Sequence, residues 1–118
     1  MTSPSDVRRR LAADRSETLD RLSGLERERA GIVEAAESAN SDDEHDPEGA
    51  TIAFEREHTT ALLERARQHL DEIDAALRRL DEGGYGICAA CGRPIAADRL
   101  AARPTATTCI SCAARRRP

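Results

Sequence analysis

The chain has 118 residues, 34% of them charged, a formal charge of −4, and only two aromatic residues, Phe54 and Tyr85. That is enough for one small domain with an extension but too little large apolar material for a broad core, which leaves narrow helix-on-helix packing as the expected architecture. No apolar run reaches the length of a membrane span and nothing at the N-terminus resembles an export signal, so a soluble, cytoplasmic protein without a membrane partner is expected.

After a frayed start, Ser5 or Ser3 caps a first helix, with Asp6 in its opening turn. Leu11, Thr18, Leu25, Ile32 and Ala39 recur every seven residues, and Leu22 and Ala36 fill companion heptad positions. Arg8, Arg15 and Arg29 hold the remaining companion sites, where an Arg can lay its methylenes along the seam and keep its head in water.

Residues 40–49, NSDDEHDPEG, break this pattern with turn formers and charge. Asp46 and Pro47 read as the N-cap and first residue of a second helix. Its seam is Ile52, Arg56, Thr59, Leu63, Ala66, Leu70, Ile73, Leu77 and Leu80, and Gly83-Gly84 ends it. Two helices of similar length joined by a short loop run antiparallel. Leu11 with Leu80, Thr18 with Ile73, Leu25 with Ala66, Ile32 with Thr59 and Ala39 with Ile52 all sum to 91, so one register serves the whole hairpin. Because this pairing consumes the only strong stripe on each helix, the chain is expected to be a monomer.

The loop between the helices gathers Asp42, Asp43, Glu44, Asp46 and Glu48. Between Ala30 and Glu55 there are eight acidic residues and no Arg, whereas from Gly83 onward six Arg face the single Asp98. One end is thus suited to a basic surface and the other to an acidic one. All eighteen basic residues are Arg, which a G+C-rich genome explains without any functional reading.

The last stretch carries all four cysteines, as Cys88-x-x-Cys91 and Cys109-x-x-Cys112 with seventeen residues between the pairs. Two tight turns of this kind aim four thiolates at one ion, the arithmetic of a zinc site. Gly92 follows the first pair, where the turn needs positive φ, and Gly86 loosens the approach to it. Four cysteines close the coordination shell, so one Zn²⁺ here is structural rather than catalytic. It is also needed, because from residue 84 onward only Tyr85, Ile87, Ile95, Leu100 and Ile110 are large and apolar. The expected fold is all-α dominated. A long antiparallel two-helix coiled-coil hairpin spans residues 1–82, with its acidic tip near 40–49, and a small four-cysteine zinc-finger domain with a short basic tail spans 83–118.

The run GYGICAACGRPIAADRLAARPTATTCISC, from Gly84 to Cys112, resembles the C-terminal signature of the DksA/TraR proteins, bacterial regulators that bind RNA polymerase. Besides the cysteine spacing, Ile95, Arg99-Leu100, Ala102-Arg103-Pro104 and Thr105 match; the hairpin agrees in architecture more than in letters. The resemblance implies a non-enzymatic transcription regulator with RNA polymerase as its partner. Such a protein binds no promoter itself, inserts its coiled coil into the secondary channel, and brings an acidic tip near the catalytic Mg²⁺ to modulate initiation. Three departures stand out. No register reproduces the family's Asp-x-x-Asp-x-Ala tip motif: an ungapped count from the cysteines gives His45, Glu48 and Ala50, while a shifted one gives Asp43 and Asp46 with Glu48 in place of Ala. The positions where the best-known members hold ppGpp with Lys, Arg and Lys read Glu72, Arg103 and Ala113. The C-terminal helix of longer members is missing or vestigial.

Two other classes compete with this reading. A zinc-ribbon nucleic-acid module would use Arg93, Arg99, Arg103 and Arg115 to Arg117, but it lacks aromatics for stacking and the chain is net negative. A plain protein-interaction module is the other. An enzyme is the least expected class, because no Ser/His or Cys/His pair is evident and His45, His58 and His69 are spread along the helical part.

Overall fold

The computed structural model describes residues 3–39 and 47–115. Helices follow in the order α1 (Pro4–Ala39), α2 (Pro47–Glu82), α3 (Ala97–Ala102) and α4 (Ile110–Arg115). α1 and α2, 36 residues each, form a helical hairpin. The one β-type pairing among the described residues is a bridge between Ile87 and Pro94. No helix among them is long and apolar enough to cross a membrane.

The first turn decides which serine caps α1. The Asp6 N–H donates to Ser3 Oγ at 3.2 Å, and Pro4 takes the first helical position, where no N–H is required. The Ser3 hydroxyl, together with the paired Arg9, holds the Asp6 carboxyl below its usual range. At the far end of α2, Gly83 adopts φ 84°, and the N–H groups of Gly84 and Tyr85 both donate to the Arg79 carbonyl, at 2.9 and 3.2 Å. This is the Schellman closure that a Gly just past a helix end permits.

The chain divides into two compact units, Ser16–Leu70 on the one hand and Met1–Arg15 with Asp71–Pro118 on the other. In the first, Leu22, Leu25, Leu63 and Ala66 form the core, with Leu62 and Leu70 packed on it. Thr18 and Thr59 are buried in the same unit, and Arg67 reaches Glu26 at 3.4 Å along an exposed edge. In the second unit, Leu11, Ile73 and Ala76 are fully buried beneath Val7, Leu77, Leu80 and Tyr85. Arg8 pairs there with Asp81 and Arg15 with Asp74, each at 2.7 Å. A step of seven forward on α1 matches a step of seven back on α2, which makes the two helices antiparallel within that unit. The paired numbers sum to 89 in the second unit and 93 in the first, bracketing the sum of 91 read from the seams.

Three details differ from the heptad reading. Arg8 and Arg15 do not simply hold their heads in water, because each finds an Asp one helix away. Ile32, Ile52, Leu70, Leu77 and Leu80 are half-buried rather than buried, and Arg56 is exposed. Ala76, which the heptad skips, has no exposed surface at all, because Val7 and Tyr85 pack on the same cluster and cover that flank of α2. The side chains of Ala36 and Ala39 lie outside the described residues.

Leu63 is 1% exposed, so Leu63→Ala removes well-packed methyl groups and is expected to cost about 3 kcal/mol. Arg67→Ala breaks only an exposed pair and should cost less than about 0.5 kcal/mol. Urea unfolding followed by far-ultraviolet circular dichroism checks both; equal midpoints for the two variants would contradict this packing.

Candidate metal centre

Tight backbone turns build the first half of the site. Gly86 and Gly92 take φ 83° and 76°, a region that L side chains rarely occupy. Around them the Cys88 N–H donates to the Arg93 carbonyl at 2.8 Å, the Gly92 N–H to the Cys88 carbonyl at 2.9 Å, and the Ile95 N–H to the Gly86 carbonyl at 2.7 Å. These bonds curl Cys88 and Cys91 toward one point. The second half is attached to the first through the Ala89 N–H, which donates to the Thr107 carbonyl at 2.8 Å. Cys109 immediately precedes α4 and Cys112 lies in its first turn.

The residues between the pairs do structural work. α3, which the sequence reading did not include, carries Arg99, whose Nε donates to the Thr108 carbonyl at 2.8 Å. Tyr85 donates its hydroxyl to the Pro104 carbonyl at 2.7 Å. Ile95, Thr105, Ala106 and Thr108 are buried with Cys88. Nothing in the letters alone announces the Arg99 bond; the position stood out only as part of the family signature and as one of the basic residues of the nucleic-acid alternative.

All four Sγ atoms lie within 4.8 Å of one another, and Cys91 Sγ stands 3.9 Å from Cys109 Sγ. None is disulfide-bonded. Sulfurs placed tetrahedrally about one zinc at 2.3 Å would be about 3.8 Å apart. The cluster therefore has the size and the donor set for a Zn²⁺ held by Cys88, Cys91, Cys109 and Cys112. Electrostatics agree. The backbone amides of Cys109 and Cys91 point at the Cys88 sulfur and lower its pKa to about 6, and the amide of Cys112 lowers that of Cys109. Cys112, sharing a proton with Cys109 and crowded by sulfur, is pushed up to about 12. The backbone amides thus favour the thiolate form at Cys88 and Cys109, the form in which a divalent cation is bound.

The acidic tip candidates Asp42, Asp43, Glu44 and Asp46 lie outside the described residues, and so does the side chain of Glu48, whose backbone is in the first turn of α2. Of the positions compared with the ppGpp-binding members, Glu72 is half-buried on α2, Arg103 is exposed at the end of α3, and Ala113 is in α4. α4 is six residues long.

Residues 83–118 match the model of the prokaryotic dksA/traR C4-type zinc finger. The fold is similar to the structure of transcription factor DksA2 from Pseudomonas aeruginosa, with a TM-score of 0.78 and 34% identity over 95% of this chain and 81% of that one. The chain belongs to the DksA/TraR family. Within that family it is 34% identical over 94 residues to the RNA polymerase-binding transcription factor DksA of Caulobacter vibrioides, covering 80% of this chain and 58% of that protein. It is 44% identical over 66 residues to the uncharacterized protein YteA of Bacillus subtilis, covering 56% of this chain and 28% of that protein. The chain thus spans between about a quarter and three-fifths of the length of these two relatives.

No atom lies within 4 Å of a Cβ built on Gly92, so Gly92→Ala adds backbone strain alone, about 1–2 kcal/mol. Affinity for Co²⁺, read from its thiolate charge-transfer absorption, is expected to fall about tenfold. An unchanged affinity would show that the positive φ at Gly92 does not shape the thiol cluster.

Proposed function

We propose that this chain is a transcription regulator that binds RNA polymerase and acts through its secondary channel. The observation that carries the reading is the likeness to DksA2 along nearly the whole chain, together with a four-thiol cluster at the end of a helical hairpin. In this reading residues 83–118 fold around one structural Zn²⁺ held by Cys88, Cys91, Cys109 and Cys112, and residues 1–82 deliver the acidic tip. The zinc supplies cross-linking between the two Cys turns; Arg99, Tyr85 and the glycine turns orient the ligands. Asp43 and Asp46 are the first candidates at the tip, followed by Glu48, Asp42 and Glu44. Their carboxylates alter the surroundings of the polymerase's catalytic Mg²⁺ or its mobile elements and so shift the lifetime of initiation complexes; the chain does no chemistry of its own. The protein works as a cytoplasmic monomer. Glu72 and Ala113, in place of two Lys, speak against a shared ppGpp site.

The nucleic-acid alternative is weakened by Arg99, whose guanidinium is engaged with a backbone carbonyl. Binding to naked DNA that falls steeply with salt would favour that alternative.

Metal analysis of protein purified under reducing conditions is expected to give one zinc per chain. Chelation should unfold residues 84–118 while most of the hairpin's helicity survives. Protein that is folded throughout yet free of zinc would refute the metal assignment.

The regulatory reading is tested by co-purification with the host's own RNA polymerase and by competition with a known secondary-channel factor. Replacing Asp42, Asp43, Glu44, Asp46 and Glu48 with amides keeps side-chain size but removes charge. The amide variant is expected to bind polymerase nearly as well as the wild type and to lose its effect on initiation-complex lifetime at matched occupancy. Equal effects would make the acidic loop a solvated turn.

A further inference from the structure

Phe54 is the chain's only phenylalanine and, at 71%, the most exposed large apolar residue among those described. One helical turn on, His58 stacks against it with ring centroids 6.5 Å apart and planes 5° from parallel. His58 also lines a groove of about 500 Å³ between α1 and α2, floored by Ile32, Ala35 and Ile52 and rimmed by Glu28 and Glu55. No Arg lines this groove. Among the described residues neither rim carboxylate has an ion pair, whereas Glu26, two residues before Glu28 on α1, is paired with Arg67. An apolar floor, an open π face and two unpaired carboxylates thus sit side by side within the Ser16–Leu70 unit.

The geometry points to this face, Phe54 and His58 with the Glu28–Glu55 groove, as a docking surface for a basic, arginine-bearing polypeptide segment of RNA polymerase. This inference rests on the polymerase reading above and gives it a contact outside both the tip and the metal centre. The occupant follows from charge and shape. A guanidinium is flat, weakly hydrated and permanently cationic, so it can lie on the Phe54–His58 rings while donating to Glu55 or Glu28. Its methylene stem, or an apolar neighbour, fills the groove floor. A nucleic-acid strand meets repulsion from the same carboxylates. A lone exposed aromatic is ordinary on a protein surface; what sets this one apart is the acid-rimmed groove it shares through His58.

The test uses the full chain with its metal, titrated against the host's RNA polymerase at low and high salt. Phe54→Ala is expected to weaken binding about tenfold, in the range of an interface anchor, while Phe54→Tyr retains most of the affinity. Glu28→Gln with Glu55→Gln should weaken binding several-fold at low salt and much less at high salt, because screening removes what the charges contribute. All three positions are at the surface, and unchanged circular dichroism and zinc content verify that the variants fold. A photo-crosslinker at position 54 should capture a polymerase subunit at an Arg-rich segment. Wild-type affinity in the Phe54→Ala variant, or crosslinking to a second copy of this chain, overturns the inference while leaving the polymerase reading standing. A wild-type chain that does not bind polymerase at all overturns both.

Discussion

Four sulfur atoms within 4.8 Å of one another are what the last third of the chain depends on. Both apolar clusters of the structure belong to α1 and α2, and from Gly83 onward only Tyr85 joins one of them. The segment's own buried apolar side chains are Cys88, Ile95 and Ala106. That is far too little burial to offset the conformational entropy of ordering so many residues. The backbone bonds of the two turns, the Arg99 bond to Thr108 and the Tyr85 bond to Pro104 fix geometry rather than supply the missing free energy, since each replaces a bond to water. With the proposed zinc bound, the cohesion of this region is concentrated in ligand chemistry, and its stability would depend on redox state and metal supply more than on side-chain packing.

The hairpin obeys a different economy. Its seam is narrow and mixes Leu, Ile and Ala with the buried Thr18 and Thr59. The ion pairs flanking it, Arg8–Asp81 and Arg15–Asp74, are half-exposed, so their worth lies in rejecting other registers rather than in free energy. Toward the chain's acidic middle the balance shifts. Ile32 and Ile52 are only half covered, and the surface there offers carboxylates and one open aromatic pair.

Much of this was legible in the letters, for identifiable reasons. Cysteine spacing, glycine at turns and the spacing of Leu and Ile are local signals, and they located the four-thiol cluster, the end of α2 and most of the seam. The pairing of Arg15 with Asp74 was also within reach, since a register summing close to 91 puts these two side by side. Ala76 was not, because its burial comes from Val7 and Tyr85, residues distant in sequence that no period encodes. α3 escaped for a similar reason. Six residues are too few for a periodic signal, and its place is set by a long-range bond from Arg99 to Thr108. The choice of Ser3 over Ser5 as the cap of α1 turned on one hydrogen bond, a distinction finer than cap preferences can draw.

Tyr85 joins the Leu11–Ile73–Ala76 cluster through its ring and the Pro104 carbonyl through its hydroxyl. It is also the chain's only tyrosine, in a sequence without tryptophan. The near-ultraviolet absorption and intrinsic fluorescence of this protein therefore originate almost wholly at one ring, placed where the end of the hairpin meets the cysteine-bearing segment. Nature has in effect installed a single optical label there, so that a phenol spectrum, usually an average over many sites, becomes a site-specific record of whether that one junction is closed.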